Sequence, residues 1–368
     1  MLKINRFILL MLSLVTALNS CKIGRFVAYN FADINDHKKF PDRTIENDGT
    51  KFHFGETEKG KVPVDIQIKL DRFPFEEYAE DHNSVAFLII QNDTIQYEKY
   101  WRKYEESSIV PSFSMAKSVT SILIGCAIDD KLIQNVNEPI TNYIPELKAN
   151  GFDKVTIEHL LQMTSGLKFN ESYYNPFGDA ATFYYGTNLR RAISKVKLDA
   201  DPGLHFDYVS GNTQLLGLVL ERALKDKTIS NYLEEKIWKP LQMEYDASWS
   251  LDRKKNGLEK TFCCLNARAR DYAKIGRLYL NKGRWNGVQI VSEDWVDQST
   301  KIDTTHGSAW FYQYQWWLPT NTGDFMAQGI LGQYIYVHPE KNLIIVRLGK
   351  NGGKADWWEI LASLGRAY

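Results

Sequence analysis

Cysteine is scarce in this chain, with four among 368 residues, at Cys21, Cys126, Cys263 and Cys264. No pair stands at metal-ligand spacing, so the sequence offers no zinc framework, and no metal or other cofactor is expected. Cys126 falls in an apolar helical run. Adjacent cysteines seldom bridge because the ring they would close is strained, so Cys126, Cys263 and Cys264 are all read as free thiols. Excess charge of either sign is also lacking, with 45 basic against 45 acidic side chains. No basic stripe makes up for this locally, which leaves no electrostatic case for nucleic acid. Internal repeats and low-complexity segments are missing too. None of the seven histidines pairs with another at metal-binding spacing. His159 reads as packing or capping within its helix, and His338, before Pro339, as the end of a strand. Gly349 to Lys354 has the composition of a phosphate loop but not its Gly-Lys-Ser/Thr ending.

Long hydrophobic runs are the remaining absence. The apolar stretch from Phe7 to Leu18 is well below the ~20 residues that a membrane-spanning helix requires. It follows basic Lys3 and Arg6 and ends on Leu18-Asn19-Ser20-Cys21, which resembles the bacterial lipobox, with Asn19 its less usual member. Residues 1–20 are accordingly a secretory leader. Cys21 becomes the lipidated first residue of an exported protein held in the cell envelope, at the periplasm or the outer membrane. Lys22 does not supply the aspartate type of retention signal. Residues 21–80 show no sustained period and read as a tether and irregular lead-in.

The chain from residue 81 to 368 carries the periodic segments. Ser84 to Ile90 and Thr94 to Trp101 flank the turn Gln91-Asn92-Asp93 and form a predicted hairpin, whose nearly all-apolar first strand should be buried on both faces. After Ser114, apolar Met115, Val119, Ile122, Leu123 and Cys126 recur at three- and four-residue intervals, which predicts a deep helix. Helical patterns follow over Ile157 to Met163, Thr213 to Leu224, Ile229 to Trp238 and Ala267 to Leu280. Strand character returns over Tyr312 to Leu318, Asp324 to Gln328, Gln333 to His338 and Leu343 to Leu348, before a last helix from Lys354 to Leu364. Trp310, Trp316 and Trp317 read either as pocket lining or as alternation in a half-buried strand. The expected fold is α/β in the α+β sense. An antiparallel sheet is built from both chain ends and flanked by helices, with a mostly helical lobe inserted over roughly residues 130–300.

Serine three residues before lysine on a helix puts both side chains on one face, within reach of each other. Ser114 and Lys117 have that spacing, and so do Ser165 and Lys168; about one such pair is expected by chance in a chain this long. Context separates them. Ser114 follows Pro111-Ser112-Phe113 and opens a long buried helix, where backbone N–H groups favour negative charge. Ser165 sits in Thr164-Ser165-Gly166-Leu167, a helix-ending turn.

Ser114-Met115-Ala116-Lys117-Ser118-Val119-Thr120 resembles the nucleophile segment of the serine β-lactamase and penicillin-binding-protein superfamily. His159-Leu160-Leu161-Gln162-Met163-Thr164-Ser165-Gly166-Leu167 is similar to a second segment of that group. Asn266 to Asp271 and Gly283-Arg284-Trp285-Asn286-Gly287 resemble its later helix and turn. The resemblance covers roughly residues 84–364 and implies a β-lactamase/transpeptidase-like fold with the site between the lobes. It implies Ser114 as nucleophile, Lys117 as its base partner, and Tyr208, in Phe206-Asp207-Tyr208-Val209-Ser210-Gly211-Asn212, as the residue relaying the proton. The family often has Tyr-x-Asn there, so either Ser210 or Asn212 is the substrate contact. The resemblance further implies an oxyanion hole from the backbone N–H of Ser114 and of Ile330. The third motif, commonly Lys or His before Ser or Thr and Gly, reads Ala327-Gln328-Gly329-Ile330 here, with Gln328 and Gly329 against the substrate.

The missing cation in that motif argues against efficient penicillin recognition and toward small amide or ester substrates, as in the 6-aminohexanoate-dimer hydrolases and esterases of the superfamily. A β-lactamase or D,D-peptidase is the second reading, and a non-catalytic envelope binding or sensor protein on the same scaffold the third. The membrane reading has a direct check: Cys21→Ser should move the protein out of the detergent phase on phase partition, and an unchanged partition would overturn it.

Overall fold

The computed structural model describes residues 22–29, 31–68 and 71–368, so the leader and Cys21 lie outside the described residues. Its centre is an eight-stranded sheet whose spatial order runs Tyr312–Gln313, Trp316–Trp317, Phe325–Gly329, Gln333–His338, Leu343–Gly349, Ser84–Gln91, Thr94–Tyr100 and Gly55–Glu56. All neighbours are antiparallel except the last, which runs parallel to Thr94–Tyr100. The strands thus come from both ends of the periodic region, with the C-terminal Leu343–Gly349 zipped to the N-terminal Ser84–Gln91.

Alternation along these strands sorts their side chains onto two faces. Leu88, Ile90, Ile335, Val337, Ile344 and Val346 join the larger core, which holds the helices Met115–Asp129 and Ala269–Leu280. Phe87, Ile89, Tyr336 and Ile345 face the other way, onto Trp357, Ile360 and Leu361 of the closing helix Trp357–Ala367. Ser84 to Ile90 is therefore buried on both faces, as its apolar run requires. The helix after Ser114 is buried all round from Met115 to Ala127, which fits an apolar surface wider than one stripe.

Four features differ from the sequence expectation. The lead-in is not merely a tether: Asp42–Ile45 pairs with Ala247–Ser250, and Ile34, Phe40 and Ile45 are buried. These anchors are spaced irregularly and find their partners about two hundred residues away, so no local period announces them. Ala269–Leu280 lies on the sheet rather than in the inserted lobe, with Gly276 packed so closely that an added methyl would stand 3.0 Å from Ile335 and Ile344. The lobe therefore ends before residue 269. Tyr312 to Leu318 is a tight hairpin, not one strand, because Tyr314 and Gln315 take left-handed φ values of 37° and 71°. Cys263 and Cys264 are joined in a disulfide, and only Cys126, buried in its helix, is a free thiol among the described cysteines. Cys264 turns left-handed, with φ 71°, a backbone conformation that residue types alone do not reveal.

Candidate active site

Ser114 is set at the mouth of its helix by a turn anchored on both sides. Val110–Pro111 pairs with Leu265–Ala267, Ser112 N donates to Leu265 O at 2.7 Å, and Leu265 N donates to Ser112 Oγ at 3.2 Å. Phe113 then takes φ 44°. A bulky side chain tolerates that region only where its surroundings enforce it, and such strained positions cluster at functional sites.

Lys117 follows one turn later with 1% of its surface exposed. Its Nζ donates to Ser114 Oγ at 2.9 Å, to Ser210 Oγ at 3.1 Å and to Phe262 O at 3.0 Å. These acceptors come from the mouth of the Met115–Asp129 helix, from the first residue of the helix Ser210–Leu224 and from the turn before the disulfide. Burial disfavours the ammonium and lowers the Lys117 pKa to about 8, while the charge of Glu171 pulls upward. Glu171 reaches the site through Ser210: its carboxylate accepts from Ser210 N at 2.8 Å, Ser210 Oγ at 2.6 Å and Tyr173 OH at 2.8 Å.

The Tyr208 ring lies 5.2 Å from Lys117 Nζ and is tilted against Trp317, with centroids 5.1 Å apart. Burial pushes its phenol above the ordinary value, and a hydrogen bond with Ser114 pulls it back in part. On the sheet side, the strand Phe325–Gly329 ends against the nucleophile turn. A methyl on Gly329 would collide with Ser112 O and lie 3.1 Å from Ser114 N, so this close approach requires glycine.

Of these groups Ser114 and Ser210 open into a cavity of about 450 Å³, whereas Lys117, Tyr208 and Gly329 are not among its lining residues. Ser114, Ser210, Cys263, Ile330 and Leu331 line its floor, and Phe31, Tyr173, Tyr174, Tyr184, Tyr185 and Phe262 its walls, with no charged side chain among the lining residues. The structure thus gathers Ser114, Lys117, Tyr208, Ser210, Gly329 and Ile330. It does not bring Asn212 or Gln328 into the cavity. Asn212 is buried one half-turn round its helix, accepting from Ser165 Oγ at 2.5 Å and donating to Met163 Sδ at 3.3 Å. Gln328 points to the opposite face of its strand and accepts from Trp358 Nε1 at 2.8 Å. Trp317 meets Tyr208, whereas Trp316 stacks on Tyr279 in the core. The sequence reading missed Glu171, the aromatic wall and the disulfide. Glu171 lies in a polar loop with no period, and only the run Glu171-Ser172-Tyr173-Tyr174, acidic and aromatic directly after the Thr164 to Leu167 segment, could have drawn notice. Among the described residues no cluster of His, Cys, Asp and Glu could hold a metal ion.

The family model for β-lactamase matches residues 74–356. A 6-aminohexanoate-dimer hydrolase of Paenarthrobacter ureafaciens is 27% identical over 318 residues, covering 78% of this chain and 79% of that protein. Among solved structures, a candidate 6-aminohexanoate-dimer hydrolase from Bacillus anthracis superposes with a TM-score of 0.80 at 23% identity, over 95% of this chain and 96% of its own. A penicillin-binding protein from Bacillus halodurans gives 0.64 at 16% identity, over 80% of this chain and 99% of its own.

The Gly329 approach generates a prediction. Gly329→Ala must push the strand end away from the nucleophile turn, at about 1–3 kcal/mol of overpacking measurable by urea unfolding. Labelling of the protein by a fluorophosphonate should slow by about 10²-fold as the strand's amides lose their aim. An unchanged labelling rate would show that this approach is not needed.

Proposed function

The chain belongs to the β-lactamase family and is a serine hydrolase, and from that premise we propose that it cleaves an amide or ester through an acyl-enzyme on Ser114. The observation carrying this reading is the Lys117 amine, buried and 2.9 Å from Ser114 Oγ. A lysine near its ordinary pKa of about 10.4 would be an ammonium at neutral pH and no base. With its pKa lowered to about 8, a useful fraction is neutral and accepts the hydroxyl proton.

Ser114 Oγ attacks the carbonyl carbon as its proton passes to Lys117 Nζ. The amides of Ser114 and Ile330 donate to the oxygen on which charge develops. The C–N or C–O bond to the leaving group then breaks, and the leaving group takes the proton of Tyr208, which Lys117 replaces. A phenol held above its ordinary pKa stays protonated, which suits this donor role. Water repeats the sequence on the acyl-enzyme, giving up a proton to the same pair, releasing the acid and restoring the Ser114 hydroxyl. Glu171 holds Ser210 in place from both its N–H and its hydroxyl, and so orients the Ser210 oxygen toward Lys117.

An uncharged cavity lining supports an uncharged group on the substrate. The third-motif cation that meets the substrate carboxylate in β-lactamases and penicillin-binding enzymes of this superfamily has no counterpart at Gln328, which faces Trp358. Amide or ester hydrolysis is therefore favoured over the β-lactamase and D,D-peptidase reading.

Intact mass after brief exposure to a nitrophenyl ester, and separately to a fluorophosphonate, tests the nucleophile. A covalent adduct is expected on the wild type and none on Ser114→Ala; no adduct on either protein would point to a non-catalytic binding protein. The pH profile tests the base. The value of kcat/KM should rise with pH through about 8 as Lys117 loses its proton. Because the Glu171 charge holds that pKa up, Glu171→Gln should move the rise to lower pH, and a shift to higher pH would refute the assignment.

A further inference from the structure

The cavity wall includes the first described stretch of the chain. The helix Lys22–Tyr29 packs Phe26 edge-on to Tyr185 at 5.3 Å, and Phe31 packs on Tyr174 at 5.6 Å. Phe31, Tyr174, Tyr184 and Tyr185 all line the cavity. Apolar side chains next to these are turned outward: Tyr174 itself is 79% exposed, Val27, beside Phe26 in the helix, 71%, and Phe177, three residues after Tyr174, 72%. Scattered exposed apolar residues are ordinary, but exposed apolar side chains on the two segments that form one wall of a cavity point to an interaction surface.

The position of this surface in the chain indicates what covers it. The apolar run Phe7 to Leu18 ends just before Lys22, where the described chain begins. Even fully extended, the link from Leu18 to Lys22 reaches only about 14 Å. Whatever holds that run or Cys21 in a bilayer also holds the helix Lys22–Tyr29 and the cavity mouth beside the bilayer surface. Aromatic side chains with one polar end, such as Tyr174, are favoured at that boundary.

We propose that the wall carrying Val27, Phe31, Tyr174 and Phe177 docks on a lipid surface, and that the cavity takes its substrate, an uncharged ester or amide with a long apolar chain, from that surface. The substrate half rests on the hydrolase reading; the docking half does not.

The test uses the full chain carrying Ser114→Ala, so that no acyl transfer contributes, reconstituted into phosphatidylcholine–phosphatidylglycerol vesicles with a small fraction of diazirine-tailed phospholipid. After illumination, lipid adducts should map to the segments 24–31 and 171–178. Adding Val27→Asp and Phe177→Asp, neither of which lines the cavity, should cut the 171–178 adducts at least fivefold. Adducts confined to residues 1–21, or to other exposed apolar residues such as Val62, Val64, Phe73 or Leu204, would overturn the docking.

With Ser114 restored, the Val27→Asp, Phe177→Asp protein should hydrolyse a dissolved nitrophenyl acetate within twofold of wild type. It should hydrolyse a long-chain nitrophenyl ester held in vesicles at least tenfold more slowly. An equal effect on both esters would overturn the substrate half. A wild type that cleaves neither ester counts against the hydrolase reading, and the adduct map, which needs no turnover, still decides the docking.

Discussion

A primary amine with almost no solvent access needs an acceptor for every proton it carries, and the site is organised around meeting that need for Lys117. Its three acceptors belong to three separate pieces of chain, Ser114, Ser210 and Phe262 O, which must converge to within about 3 Å of one atom. The compensating carboxylate is not in direct contact. Glu171 acts through Ser210, close enough to moderate the amine and too far to lock it as an ammonium. A direct Lys–Glu pair in so dry a place would favour the ammonium far more strongly. Interposing a hydroxyl keeps the charge balanced and the amine usable.

The sheet side of the cavity is held by a second buried cation with a different solution. Arg347 donates to Ser84 Oγ at 3.0 Å and to the carbonyls of Gly332 and His82, both at 2.6 Å. Its guanidinium also stacks on Trp357 at 3.8 Å, and burial lowers its pKa to about 9. The Gly332 contact fixes the turn after Gly329-Ile330-Leu331, and Gly329 is pressed on the nucleophile turn from the other side. The Ile330 amide therefore sits between two clamped points.

Much of this was legible because the chemistry and the periodicity share the same residues. Met115, Val119, Ile122 and Cys126 announce the helix that carries Lys117, and the strands on both sides of the inserted lobe announce the sheet. Two misplacements were also legible in principle. Residues two apart on a helix point to nearly opposite sides, so Ser210 and Asn212 could not both face Lys117. Neighbours on a strand face opposite ways, so Gln328 and Gly329 could not both face the Ser114 turn. The rest had no local signal. Glu171 meets Ser210 only through the fold, and the left-handed turns at Tyr314, Gln315 and Cys264 use residues that ordinarily avoid that conformation.

The lead-in shows why a segment without periodicity need not be a passive link. Arg43 pairs with Glu259, whose carboxylate also receives Ser230 N at 3.0 Å and Ser230 Oγ at 2.9 Å. Lys260, fully buried, lies 3.2 Å above the Phe40 ring and donates to Tyr184 O at 2.6 Å. Two residues further on, Phe262 supplies the carbonyl that receives Lys117. The same stretch, residues 259–262, is thus gripped by the lead-in at one end and holds the Lys117 amine at the other. Phe31 and Phe40 meanwhile support the tyrosines of the cavity wall. A chain cut after the lead-in would keep the matched family segment, yet it would lose one wall of its cavity and the brace behind Lys117.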